Sequence, residues 1–273
     1  MPVHKDPSGH RYVQAETEVP GTPEEVWNAI ATGPGITSWF VPTTLDGRVG
    51  GDTTSSFGPG MDSVAKITAW NPPHSFVAES SDPGPNDRPV ATEWIVEARD
   101  GGSCVVRVVH RWFAESDDWD GQFEGHTYGW ASFFRVLRAY VAHFAEQAGV
   151  PVQVMGVAAP PKEAAWDAWT RALGVAGASV GDRVQTPEGV PPMSGTVEFA
   201  GQPAWPEELL IHLDGPVPGI AHLVPHAMGG KVYLAHRLYL FGERAADAAA
   251  EAQTAWQAWF DATFVPAAAP PQG

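Results

Sequence analysis

Two segments of the chain alternate apolar and polar side chains with a period of two, which is the pattern of half-buried strands. In Ser103–Trp112 the apolar side chains share one face with His110, while Arg107 projects from the other. Lys231–Leu240 repeats this arrangement, and His236 lies at the phase of His110. The pattern therefore predicts two strands that each direct one histidine toward an interior.

A period of 3.6 residues predicts one long helix after the first of these strands. The helix is expected from about Asp117 to Gln147. Its apolar stripe consists of Phe123, Trp130, Phe133, Phe134, Leu137, Tyr140, Val141 and Phe144. A short helix is expected earlier, because Thr22-Pro23-Glu24-Glu25 supplies an N-cap, a proline at the first helical position and a glutamate three residues after the cap. The predicted order of strand, short helices, about six strands and long helix fits an α+β fold, in which a curved antiparallel sheet wraps around the last helix.

The second half of the chain repeats the first. The first strand and first helix recur at one constant offset, with the matching pairs Val13 and Val152, Glu24 and Glu163, and Trp27 and Trp166. The last strand and last helix recur at a second, smaller offset, with the matching pairs His110 and His236, Trp130 and Trp256, and Phe134 and Phe260. We therefore predict tandem domains at residues 1–148 and 149–264, the second being the shorter, followed by a disordered tail at 265–273.

The first half also resembles a known family. The segments that carry the resemblance are TEVPGTPEEVWNAIATGPGITSWFVP, ATEWIVEARDGGSCVVRVVHRWF and GHTYGWASFFRVLRAYVAHF. From Arg11 to about Phe144 the chain resembles the SRPBCC superfamily, in the branch of the activator of heat-shock-protein-90 ATPase. This resemblance implies a helix-grip fold: a seven-stranded antiparallel sheet curled around a long C-terminal helix, with a cavity between them. The second half matches only at its ends, and its number of strands between Gly181 and Gly230 stays open.

The resemblance implies that the cavity holds a hydrophobic or aromatic small molecule. By position and face, the residues expected to line it are Trp39, Phe40, Trp94, His110, Trp112, Phe123, Trp130, Phe133 and Leu137. Pockets of this kind are mostly apolar with a few orienting polar groups, and His110 would be such a group. The alternative is that these aromatic side chains simply fill the core.

Three functions are compatible with these residues. The leading interpretation is non-catalytic binding of the small molecule, with the second copy as a degenerate packing partner. The enzymatic alternative is a cyclase, dehydratase or hydrolase for an aromatic or polyketide-like substrate, with His110 as the candidate acid or base. A co-chaperone-like regulation of an ATPase follows from the family name alone.

No cofactor or metal site is predicted. The sequence contains no nucleophile elbow, phosphate-binding glycine loop or dinucleotide fingerprint. His222 and His226 are four residues apart, but Pro225 opposes the helix that would bring both imidazoles to one side. The histidines are therefore interpreted as structural or surface residues.

Charge and cysteine content restrict the partners and the compartment. The chain has 32 acidic and 16 basic residues and a net charge of −16, which would repel nucleic acid and anionic lipid. Cys104 is a single cysteine, so no intrachain disulfide can form, and neither a signal peptide nor a run of about 18 apolar residues is found. We expect a cytoplasmic protein, and a monomer is favoured because the two copies could pack as a pseudo-dimer.

Overall fold

The computed structural model describes residues 3–5, 10–58, 60–80, 89–113, 120–202 and 205–264, with the backbone alone for residues 10, 113 and 120–128. The chain divides into two compact units, Met1–Ala148 and Gly149–Gly273. The predicted tail at 265–273 lies outside the described residues. Within the described part, no helix is both long enough and apolar enough to cross a lipid bilayer.

The first unit contains eleven elements within its described residues. They are β1 (His4–Lys5), β2 (His10–Pro20), α1 (Pro23–Ile30), α2 (Gly33–Thr37), β3 (Thr43–Leu45), β4 (Asp52–Ser56), β5 (Asp62–Asn71), β6 (Ser75–Ser80), β7 (Ala91–Arg99), β8 (Ser103–Phe113) and α3 (Asp120–Phe144). The strands form one antiparallel sheet in the order β1-β2-β8-β7-β6-β5-β4-β3, and α3 packs mainly on β2. This is the predicted helix-grip arrangement, in which the sheet lies along one long C-terminal helix, but the described sheet has eight strands where the resemblance implied seven.

The start of α1 follows from its sequence. The backbone N–H of Glu25 donates to Thr22 Oγ1 at 3.3 Å, and the Glu25 carboxylate accepts from the backbone N–H of Thr22 at 2.7 Å. This reciprocal pair satisfies two of the backbone donors that a helix N-terminus leaves open. The Trp39 indole N–H donates to the Ala29 carbonyl at 2.9 Å and so ties the turn after α2 to α1.

The second unit is a shorter version of the same arrangement. Its described elements are β9 (Val150–Ala158), α4 (Lys162–Ala172), β10 (Arg183–Gln185), β11 (Ser194–Gln202), β12 (Trp205–Gly215), β13 (Gly219–Met228), β14 (Lys231–Leu240) and α5 (Ala245–Thr263). The six strands form an antiparallel sheet in the order β10-β11-β12-β13-β14-β9, and α5 packs mainly on β9. Gly156 permits this close packing, because a Cβ there would lie 2.2 Å from the Phe260 ring. The predicted fold class, two tandem helix-grip copies, is confirmed.

The repeat needs one correction to its register. The first helix of each copy begins where the predicted offset requires, at Pro23 and at Lys162. In the preceding strand, however, Val13 lies opposite His110, whereas Val154 lies opposite His236. Val154, and not the predicted Val152, is therefore the counterpart of Val13. A shift of two residues keeps every side chain on the same face of a strand, so the alternation of apolar residues could not reveal it.

Candidate functional site

The face of the first sheet that looks toward α3, called here the inner face, changes character along its strands. Directly paired residues of antiparallel strands project to the same face, as do residues two apart on one strand. Thr92 of β7 pairs with His110 of β8, and Ala65 of β5 pairs with Ser80 of β6. These four side chains are half-buried, whereas inward side chains nearer the β7–β8 turn, such as Val106, are fully buried. At one end of the inner face the side chains are therefore mostly polar, and solvent reaches part of their surface.

Five aromatic side chains border this open end and are called here the aromatic wall: Phe40, Phe57, Trp94, Trp130 and Phe133. Phe40 stacks on Trp130 with ring centroids 5.0 Å apart, and it contacts Phe133 edge-on at 4.5 Å. On the β4–β5 side Phe40 contacts Phe57 at 5.6 Å, and Phe57 itself is 44% exposed. Trp130 also contacts Trp94 edge-on at 5.0 Å. Flat apolar faces thus lie directly beside the polar residues of the sheet.

A hydrogen-bonded chain links the wall to the sheet. The Trp130 indole N–H donates to His110 Nε2 at 2.6 Å. On the other side of the ring, His110 Nδ1 is 2.9 Å from Thr92 Oγ1. Because an indole nitrogen can only donate, Nε2 must accept, and the neutral imidazole carries its proton on Nδ1. His110 therefore donates to Thr92, and this assignment follows from the chemistry of Trp130.

The predicted site residues are only partly brought together. A connected set of ring contacts joins Trp39, Phe40, Trp94, His110, Trp130 and Phe133. Trp112 is buried in a separate small cluster with Val13, and Leu137 is fully buried in the core. The Phe123 side chain lies outside the described residues. The nine residues therefore include a contiguous group of six, and their role in binding stays a prediction.

Two residues of the site were not among the predicted lining residues. Thr92 shares a face of β7 with Trp94 because the two are two residues apart, but only the pairing of β7 with β8 shows that Thr92 lies directly opposite His110. Phe57 precedes the β4–β5 turn, and nothing local to it signals its contact with Phe40. The sequence offered one signal for a further site residue, a polar residue at an inward strand position. That signal could have identified Thr92 but not Phe57.

The equivalent position of the second unit has a different environment. His236 is 0% exposed, and its ring lies 4.2 Å from Trp256 and 6.1 Å from Trp169. Leu223 occupies the position opposite His236 on β13, where the first unit has Thr92. Within the described residues neither ring nitrogen of His236 has a hydrogen-bond partner. Burial lowers the pKa of His236 to about 3, so the ring is neutral at pH 7.

The other histidines singled out in the sequence belong to a strand. His222 and His226 lie on β13, as the objection to a helix required. His222 Nε2 is 3.1 Å from Glu208 Oε1, and both side chains are buried. This buried pair lies on the face of β13 opposite to that of Leu223, because the side chains of a strand alternate.

Two surface cavities of the described chain lie away from the Thr92–His110–Trp130 chain. One of about 440 Å³ lies in the second unit and is lined by residues between Gln185 and Pro216. The other, of about 220 Å³, lies in the first unit between Asn28 of α1 and Tyr140 of α3. Neither cavity includes a residue of the aromatic wall.

Comparison with known proteins agrees with this architecture. The family model described as Activator of Hsp90 ATPase homolog 1-like protein matches residues 20–142, from the end of β2 to the last turn of α3. Most of the first unit therefore matches the model of this family, the branch of the SRPBCC superfamily that its sequence resembles. The resemblance found in the sequence is thereby confirmed for the first unit, and the match ends before the second. A search of the curated proteins gave no match.

Several solved structures are similar to the chain at low identity. The di-domain ARO/CYC protein BexL from the BE-7585A biosynthetic pathway is 15% identical, with a TM-score of 0.45, and the match covers 95% of this chain and 100% of BexL. DynU16, from the dynemicin biosynthetic locus, is 16% identical over 92% of this chain and 96% of its own, with a TM-score of 0.42. Aha1 from Colwellia psychrerythraea is 19% identical over 48% of this chain and 95% of its own, with a TM-score of 0.41. At these values the likenesses carry no argument about function.

Proposed function

We propose that the SRPBCC domain of the first unit binds a flat aromatic or otherwise hydrophobic small molecule between the inner face of its sheet and α3, without converting it. One observation carries the proposal. Ser80, Thr92 and His110 project from the inner face and yet keep part of their surface accessible to solvent. A closed core would cover such side chains with apolar neighbours, as happens around His236 in the second unit.

The chemistry of the wall favours a flat apolar ligand. Phe40, Trp130 and Phe133 present ring faces and edges, and offset or edge-on contacts between aromatic rings contribute about 0.5–1.5 kcal/mol beyond the burial of area. The chain carries a net charge of −16, which disfavours an anionic ligand. Binding sites for small molecules commonly combine such an apolar lining with a few polar groups.

The hydrogen bonds of His110 favour binding over acid–base catalysis. A general base needs a lone pair within reach of the substrate's proton, and the available lone pair of neutral His110 is on Nε2. That lone pair accepts the indole N–H of Trp130 at 2.6 Å. Catalysis by His110 would therefore require Trp130 to move, whereas binding requires no change.

The proposal is tested by titrating the protein with 1-aminoanthracene, an uncharged fluorescent probe, and by filling the open end of the site. In Ala65→Phe a ring replaces the methyl group of a half-buried inward residue. Lys66→Phe is the matched control, because Lys66 is the next residue of β5 and is exposed on the other face. We expect saturable micromolar binding of about one probe per chain, at least a tenfold loss of affinity in Ala65→Phe, and little change in Lys66→Phe.

The outcomes separate the candidate functions. The absence of saturable binding, or equal binding by both variants, contradicts the proposal. Turnover of a polyketide-like substrate that is lost in a folded His110→Ala variant would favour the cyclase alternative. Regulation of an ATPase rests on the family name, and an unchanged ATPase rate after addition of the protein would remove it.

A further inference from the structure

We propose that Thr92 makes the site selective for flat aromatic molecules that carry a hydrogen-bond acceptor, such as a ring ketone. The inference rests on the proposed function, since it names the ligand class of the same site. The selectivity follows from which atom donates in each of the two hydrogen bonds that connect Trp130, His110 and Thr92.

Trp130 fixes which group donates in the first hydrogen bond. Its indole N–H has no lone pair to offer, so the 2.6 Å contact to His110 requires an unprotonated Nε2. A doubly protonated ring would place two hydrogens against each other at this distance. The imidazole proton is therefore on Nδ1, and it points at Thr92 Oγ1, 2.9 Å away.

The Thr92 hydroxyl then has a free donor. Its oxygen accepts from His110, and a hydroxyl that accepts one hydrogen bond still has its own hydrogen to donate. In the part of the chain that the structure describes, His110 is the one hydrogen-bond partner of this hydroxyl. The residue opposite Thr92 on β6 is Ala78, which offers a methyl group and no acceptor.

The position of Thr92 directs this hydrogen at the ligand space. Thr92 lies on the half-buried part of the inner face, beside the ring of His110 and two residues before Trp94 of the wall on the same face of β7. A flat molecule stacked along the aromatic wall would place one of its edges over Thr92 and His110. An acceptor on that edge would receive the Thr92 hydrogen, whereas a pure hydrocarbon would leave it unpaired in a dehydrated site.

The test compares two probes with the same three-ring frame, 9-fluorenone and fluorene, which differ in a carbonyl against a methylene. Their affinities are measured by displacement of 1-aminoanthracene from the wild-type protein and three variants. Thr92→Val removes the hydroxyl but keeps the β-branched shape, which suits a strand. Thr92→Ser keeps the hydroxyl. Trp130→Phe keeps a ring in the wall and removes the donor that fixes His110.

We expect the wild-type protein to bind fluorenone about tenfold more tightly than fluorene, the difference that one hydrogen bond supplies. Thr92→Val should bind the two probes equally by weakening only fluorenone, and Thr92→Ser should keep the preference. In Trp130→Phe the preference should fall to a few fold. The ¹⁵N shifts of the His110 ring should report Nδ1–H alone in the wild-type protein and a mixture of tautomers in this variant.

Each contrary result has a distinct meaning. Equal affinity of the wild-type protein for both probes overturns the selectivity and leaves the proposed binding intact. A preference that survives in Thr92→Val shows that another group is the donor. If 1-aminoanthracene itself does not bind saturably, the proposed function fails, and the inference fails with it. Should Thr92→Val not fold, the wild-type ratio still tests the selectivity, because equal affinities for the two probes overturn it.

Discussion

The two units place a histidine at the same position of the same strand and surround it in opposite ways. In the first unit Thr92 and Trp130 each form a hydrogen bond with one ring nitrogen of the half-buried His110. In the second unit Leu223 and the tilted ring of Trp256, with ring centroids 4.2 Å apart, lie against His236, which is fully buried. An inward histidine is therefore not itself a functional signal. The residue opposite it on the neighbouring strand decides whether the position is polar.

A second difference lies in the short helix that follows the first long strand of each copy, α1 after β2 and α4 after β9. When the two copies of this helix are aligned at their first residues, Pro23 and Lys162, Trp169 of α4 corresponds to Ile30 of α1. The Trp169 ring reaches His236 at 6.1 Å and Phe260 at 5.7 Å. The larger side chain thus takes volume near the histidine, which is consistent with the expectation of one ligand per chain.

The largest effect should come from truncating the equivalent tryptophans. Trp256→Ala removes a fully buried ring and should lower the free energy of unfolding by about 4 kcal/mol. Trp130→Ala removes a half-buried ring, so it should cost less than half as much while abolishing probe binding. Guanidinium unfolding followed by circular dichroism measures both. Equal losses would contradict the contrast between an open and a filled unit.

A buried histidine with a charged partner should behave differently from His236. His222→Leu leaves the Glu208 carboxylate buried without its imidazole partner 3.1 Å away, so we expect a loss on the order of 3 kcal/mol. The matched control is His236→Leu, which removes a buried imidazole that has no carboxylate partner within the described residues. If both substitutions destabilise the protein equally in urea unfolding at pH 7, the hydrogen-bond partner of a buried histidine is irrelevant to its contribution.

The smallest effect is a dependence on pH. Burial lowers the pKa of His236 in the folded state to about 3 from an ordinary value of 6.5. Between these values the unfolded chain binds a proton that the folded protein does not, so stability falls as the pH drops through this range. At pH 5 the wild-type protein should therefore lose about 2 kcal/mol through this group, and His236→Leu should escape that loss.

Unfolding by urea at pH 7 and pH 5 tests this expectation. The stability difference between His236→Leu and the wild-type protein should grow in favour of the variant at the lower pH. A difference that stays constant between the two pH values would mean that His236 titrates normally and is not enclosed in the apolar core.

Much of the fold could be predicted from the sequence because strands and helices each impose a characteristic period on the apolar residues. The alternation around His110 and His236, the aromatic stripe of the long helix and the capping residues at Thr22 all correspond to elements of the structure. The long helix was expected from about Asp117 to Gln147 and is assigned from Asp120 to Phe144. The register of β9 was wrong by two residues, because a period of two is unchanged by such a shift.

The amino-acid pattern by itself determined which side chains face inward and in which elements they lie. Only the tertiary structure decided which inward residues meet: Thr92 with His110, Trp130 with both His110 and Phe40, and Leu223 with His236. The physical reason is that local backbone geometry determines to which face of an element a side chain projects. Which side chains then contact one another depends on strand pairing and helix packing between distant segments. The polarity of each histidine environment, and with it the difference between the two copies, arises from those contacts.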